Sequence, residues 1–126
     1  MFVTTIPQYV LGMTNAKVDL TTTDATVLYT APSAADFNSS VISSILVSED
    51  SGNADTITVT LTSGTTVFSL FKVKAVGANT TVELLTNDLV LQSAEILKVT
   101  AATANRLHVV ASIQEFAIHR TPQSAL

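Results

Sequence analysis

Glu49, Asp50 and Asp55 crowd one short polar stretch, "EDSGNAD" (49–55). Carboxylates on a loop can hold calcium together with backbone carbonyls. This spacing matches no EF-hand loop, so the three read as solvated turn carboxylates, acids that end strands and cap turns. The two histidines are the other candidates for chemistry. His108 lies in "LHVVASIQEF" (107–116), where Leu107, Val109, Ala111 and Ile113 take one face. It shares the other face with Val110, Ser112 and Gln114, a solvent or interface setting. As a general base it would need a positioned partner. His119 falls in the tail "HRTPQSAL" (119–126), which reads as frayed. Serines are plentiful, yet no nucleophile elbow and no glycine-rich phosphate loop occurs. Asn38-Ser39-Ser40 and Asn79-Thr80-Thr81 fit the glycosylation acceptor, a pattern with meaning only behind a secretory signal. With no cysteine there is no disulfide and no thiolate metal site. The expectation is a protein without catalytic residues, cofactor or metal.

The elements that carry these residues must fold from a chain of 126 residues, a length that suits one domain with its own core. Charged residues make up 13% of it, about half the usual share of ~25%. The net charge is -4, and the six cations (Lys17, Lys72, Lys74, Lys98, Arg106, Arg120) form no basic cluster. Nucleic-acid binding and membrane-surface binding are therefore not expected. The start, "MFVTTIPQYVLGM", lacks a basic region and is cut by Pro7 and Gln8, so no targeting segment is expected. No apolar run approaches the ~18 residues of a membrane helix.

Period 2 recurs along the chain. In "DTITVTLT" (55–62) Ile57, Val59 and Leu61 point one way, and Thr56, Thr58, Thr60 and Thr62 the other. Ser63-Gly64-Thr65 signals a turn, so 55–76 reads as a hairpin. Further strands are expected in 25–30, 41–49, 80–86 and 107–116, with two short ones in 89–102. Only "SAADF" (33–37) could form a helical turn. Gly52, Gly64 and Gly77 mark turns about a dozen residues apart, the rhythm of an antiparallel sandwich or barrel. Lys72 and Lys74 suit a sheet edge, where lysine discourages strand addition. The fold class is all-β: an antiparallel β-sandwich, jelly-roll or Ig-like, of about seven or eight short strands. Its core domain is 21–117, flanked by an N-terminal arm or extra strand (1–20) and a flexible tail (118–126).

Residues 1–16 carry no charged side chain but contain Phe2, Val3, Ile6, Tyr9, Val10, Leu11 and Met13, followed by polar "TNAK" and "TTTD". Two readings are open: one more strand of the sandwich, or an arm docking on a neighbouring subunit, since exposed apolar segments need cover. The candidate partner interface comprises Phe2, Val3, Ile6, Tyr9, Val10 and Leu11, together with Thr58 and Thr60 of the threonine face. That face can hydrogen-bond and pack closely without like-charge repulsion between copies. Equally, threonine fills strands through β-propensity alone.

Several pieces recur in order: Tyr29-Thr30-Ala31-Pro32, Ser51 to Asn53, Ala78-Asn79, Glu83-Leu84-Leu85, Leu97-Lys98-Val99 and a closing Glu115. Over residues 25–116 this pattern resembles a family of small bacteriophage virion proteins. The chain departs from it at Ser33-Ala34-Ala35, where the family often has glycine, and at Ser93-Ala94-Glu95, where it often has Ala-Gly-Asp. The resemblance implies a non-enzymatic β-sandwich of a tailed-phage particle. Decoration (cement) of the capsid is the favoured role, with the major capsid protein and the chain itself as partners, a homotrimer being favoured over a dimer. Its place would be the virion, assembled in the host cytoplasm. Neck, baseplate or fibre positions are the alternatives. A carbohydrate-binding module is a further one, disfavoured because the chain has no tryptophan and only Tyr9 and Tyr29.

Overall fold

A computed structural model describes residues 8–118, with side chains from Val10 onward. These residues form nine strands and no helix. They are β1 (Gln8–Asp19), β2 (Thr26–Thr30), β3 (Phe37–Glu49), β4 (Asp55–Ser63), β5 (Thr66–Val76), β6 (Thr81–Glu83), β7 (Leu89–Leu91), β8 (Ile96–Ala101) and β9 (Leu107–Ile118).

The strands make two antiparallel sheets. One runs β1-β9-β3-β6, with β7 also on β3; the other runs β2-β8-β4-β5. β6 pairs with residues 46–48 of β3 and β7 with residues 40–42, so the two share one strand position. The pairing is nested. First pairs with last (β1·β9), then β2·β8, then β3 with β6 and β7, then β4·β5, and successive pairs alternate between the sheets. That is a hairpin rolled over on itself, the jelly-roll arrangement rather than the Ig-like one. β1, β3, β5 and β9 run 11 to 13 residues, longer than the short strands expected.

Alternation decides what each strand buries. Ile57 and Val59 of β4 face inward, as do Leu107, Val109, Ala111 and Ile113 of β9. In β3 the inward set is Phe37, Ser40, Ile42, Ile45, Val47 and Glu49. Its phase slips twice, at bulges between Phe37 and Ser39 and between Ile42 and Ser44. Each bulge adds a residue that reverses the facing of the residues after it, and serines flank both. This slip is why the period-2 pattern broke in "FNSSVISSIL" and why the strand, expected over 41–49, begins at Phe37. The "SAADF" segment forms a turn at Ala35-Asp36, closed by the Phe37 N–H on the Ala34 carbonyl at 3.0 Å, and no helix.

Residues 8–19 form a strand. They pair along β9 from Gln8 opposite Ile118 to Asp19 opposite His108, and "TNAK" continues the strand instead of breaking it. The docking-arm reading is thereby corrected for residues 8–16; Phe2, Val3 and Ile6 lie outside the described residues, as does the tail 119–126. Ile118, assigned to the tail, ends β9.

β5 is an edge strand with Lys72 and Lys74 exposed, as expected of an edge. The β4–β5 loop is Gly64-Thr65, closed by the Ser63–Thr66 pair. Gly64 has φ 61, the conformation that a type II′ turn demands at its first position. Val73 also has positive φ, 54°, where a β-branched residue is strained. Its N–H leaves the ladder and donates to Thr58 Oγ1 at 3.1 Å. Val73→Gly is expected to raise stability by about 0.5–1 kcal/mol, the relief of left-handed strain less the entropy glycine adds to the unfolded chain. The urea midpoint reads it; an unchanged or lower midpoint would contradict the strain at this bulge.

Candidate functional site

The carboxylates that suggested chemistry are turned into the fold. Glu49 ends β3 and is 2% exposed. Its Oε2 accepts the Ser51 N–H at 2.8 Å and the Ser51 hydroxyl. Its Oε1 accepts the N–H groups of Gly52 at 3.1 Å and Asn79 at 3.0 Å. One side chain thus ties the β3–β4 turn to the β5–β6 turn. Asn79 takes φ 55, which asparagine tolerates, and so can aim its N–H there. Asp55, also buried, accepts the Thr103 N–H at 3.1 Å. Glu49 and Asp55 are therefore not solvated turn carboxylates; only Asp50 is exposed.

Glu83 fills the gap between β6 and β7. There, on the side away from β9, β3 has no strand neighbour among the described residues, and Glu83 accepts the Ile45 N–H at 2.8 Å, the Leu85 N–H at 3.2 Å and the Ser44 hydroxyl. Glu95 Oε1 likewise accepts the Gln92 N–H at 2.7 Å in the β7–β8 turn. At the other end of the sandwich Tyr29 reaches from β2 across to the opposite sheet. Its phenol donates to Glu115 Oε2 at 2.5 Å. That uses its single proton, so the fully buried Ser40 hydroxyl, 2.6 Å away, donates to the phenol oxygen.

The local environment shows in the acidities. Burial by itself would raise the Glu49 carboxyl, but the bonds from the Ser51 hydroxyl and from the Asn79, Ser51 and Gly52 N–H groups outweigh it and hold the pKa at about 2. Glu83 is lowered in the same way: burial opposes, and Ser44 with the backbone N–H groups of Ile45, Leu85 and Leu84 prevails. Burial, and then the bond to Glu115, push the Tyr29 phenol above its ordinary range.

His108 sits on the outer face of β9, half-buried as its alternation implied. Asp19 and Ser48 flank it across the strands, a Ser-His-Asp row in register. Its ring stands between two aspartates: Nε2 lies 3.2 Å from Asp19 Oδ1, and Nδ1 3.8 Å from Asp50 Oδ1. The 3.8 Å contact is too long for a hydrogen bond, but Ser48 makes no hydrogen bond to the ring, so the row is not arranged as a triad. The two aspartates stand at opposite ring nitrogens and do not converge on a common point. Among the described residues no group of three or more His, Asp or Glu could hold a metal.

What remains for function is the pair of outer faces. On the β2-β8-β4-β5 sheet the rows are hydroxyl-rich: Thr58 lies beside Thr100, and Val27, Lys98, Thr60 and Ser69 follow one another across four strands. The threonine face faces outward as expected, but Thr58 is committed to Val73 while Thr60 has no such bond. The outer face of the β1-β9-β3 sheet is more apolar, exposing Val10 at 45% and Met13 at 76%. Leu11, at the bulge of β1, is 57% exposed. Val10 and Leu11 are thus accessible, as strand residues. Tyr9 pairs with Ala117 in the same strand. Met13, Leu46, Val90 and Val110 were not singled out as interface residues, although the outward phase of Val110 was visible in β9.

No protein-family model, curated protein or solved structure matches the chain.

The clasps have two measurable consequences. Glu49, with its pKa depressed in the fold, contributes stability that is fully present above its ordinary value and is lost as pH falls through about 2. Urea midpoints of wild type should therefore drop between pH 5 and pH 2 more steeply than those of Glu49→Gln; parallel curves would contradict the clasp. Tyr29→Phe should cost about 2 kcal/mol, since it strips a charged acceptor and a buried hydroxyl of their partner. A loss under ~0.5 kcal/mol would mean that this inter-sheet bond contributes nothing net.

Proposed function

We propose that the chain is a structural protein of a tailed-bacteriophage virion, a decoration (cement) subunit that binds the major capsid protein and holds the head together. Jelly rolls occur in viral capsid and lectin domains alike, so fold alone does not choose between roles. The observation that carries the reading is the destination of the charge. Of the 10 acidic residues, Glu49, Asp55, Glu83, Glu95 and Glu115 accept hydrogen bonds within the protein. The outer rows of the two sheets are rich in hydroxyl and apolar groups, with isolated charges such as Lys17, Asp19 and Lys98 among them.

Such faces suit close repetition. A subunit packed in many copies on a shell meets identical neighbours, and like charges facing each other would repel. Hydroxyls and small apolar groups accept contact without that penalty. The resemblance carried by Tyr29, Asn79, Glu83 and Glu115 supports the same role, and these residues are the hydrogen-bonding joints of the fold. Neck, baseplate or fibre positions would use the same surfaces. Sugar binding is less favoured, because Tyr29 spends its hydroxyl between the sheets and stacking platforms are few: among the side chains described, from Val10 onward, Phe68 is the one aromatic standing half exposed.

Phage particles assembled without the chain should release DNA at a lower temperature, and purified protein added back should restore the wild-type value. Thr60→Glu protein, folded as judged by circular dichroism, should restore it less well if the hydroxyl face makes the contact. Particles equally heat-stable with and without the chain would contradict the decoration role.

A further inference from the structure

The outer face of the sheet formed by β1, β9, β3 and the β6/β7 position arranges its side chains in cross-strand rows. One row is Lys17, Val110, Leu46, Glu83. Another is Met13, Gln114, Val41, Val90. The first carries its positive charge at one edge of the sheet and its negative charge at the other. The second places an exposed apolar side chain at each edge, Met13 at 76% and Val90 at 54%.

We propose that this face binds a second copy of the chain, face to face, about a two-fold axis that runs parallel to the strands between β9 and β3. Such an axis exchanges the two edges of the sheet and keeps every row at its own level. Lys17 then meets Glu83 of the other copy, and the reverse contact forms with it, as an isologous interface requires. Met13 meets Val90, Val110 meets Leu46, and Gln114 meets Val41. In the end row Asp19, His108, Ser48, Thr81, Asp19 meets Thr81 and His108 meets Ser48. No charge faces its like. An axis across the strands, centred on Asn15 and Ser112, would instead set Lys17 against Met13 and Glu83 against Val90, desolvating charge on apolar groups.

The strand directions of the two copies coincide under the chosen axis, in keeping with aligned packing of twisted sheets. The area is also adequate. Four strand positions, spaced ~4.8 Å, and the length of β9 at ~3.4 Å per residue give roughly 750 Å² per face. A standard interface takes roughly 800 Å² from each partner. In the Lys17 row, charge stands at the rim and the apolar Val110 and Leu46 inside it, the usual anatomy of an interface. The row pattern selects a two-fold pairing over the homotrimer expected from the sequence. It is a property of the chain in solution and does not depend on the virion role.

The test is sedimentation equilibrium of the full chain over ~1–100 μM, a range that brackets standard-size interfaces of modest affinity. Wild type should weigh twice its 13.2 kDa. Met13→Glu alone and Val90→Lys alone should each weaken the dimer at least ~10-fold, and the double variant should recover most of that loss. Within one chain these positions are three strand spacings apart, ~14 Å, so an internal ion pair cannot mimic the recovery. Both are exposed, and matching urea midpoints will show that the variants fold. A monomer throughout the range, a trimer, or single variants that pair like wild type would each overturn the proposal. So would a double variant no better than the singles. A monomer that binds phage heads through a Met13-sensitive contact would assign this face to another protein and overturn it too.

Discussion

A sheet that bulges, breaks or turns strands backbone N–H groups, and each must find an acceptor inside the fold. This requirement governs the molecule. Glu49 answers it where β3 runs out, Glu83 where β3 lacks a strand neighbour between β6 and β7, and Asp55 where the 102–106 turn meets β4. A carboxylate suits these places because it accepts several bonds at once and aims its two oxygens separately. Glu49 serves two loops remote in sequence, and Glu83 holds together an edge position built of two three-residue strands. Without these acceptors the turns would lose the bonds that fix them, and the nested pairing would lose its corners.

The same requirement shapes the outside. Acids employed as acceptors within the fold hold their charge at its turns and at the β6/β7 edge, and the chain has few charges to begin with. Both outer faces present rows rich in hydroxyl and apolar groups, with isolated charges such as Lys17, Asp19 and Lys98. The low charge of the composition is placed in part at the corners of this jelly roll, where acids serve as acceptors. It also leaves surfaces that tolerate identical neighbours.

Much of this could be read from residue order. Alternation in β4 and β9 gave their inward faces, glycines marked the turns, and paired lysines marked β5 as an edge. Two kinds of feature escaped. Bulges in β3 shift the inward phase by one residue, so Ser40 goes inside and the period-2 pattern dissolves. Side chains that meet only after long excursions, such as Tyr29 with Glu115 or Glu49 with Asn79, leave no local periodicity. Their one trace was the ordered set of residues that carried the family resemblance, in which Tyr29, Asn79, Glu83 and Glu115 all figured without a stated cause. The acidic turn misled for a related reason: spacing says that carboxylates are near one another, not whether they face water. The uncharged start of the chain was ambiguous because an edge strand and a docking arm share the same apolar composition; pairing with β9 decided residues 8–19.

The decisive question is whether this charge-poor jelly roll works on the surface of a virus particle. Immunogold electron microscopy of the purified parent phage, with antibody raised against the folded chain, answers it directly. Label spread over the head is the expected result. Label confined to neck or tail would contradict the decoration role. Unlabelled particles, with the antibody shown to be active and the antigen accessible, would contradict a place on the virion surface altogether.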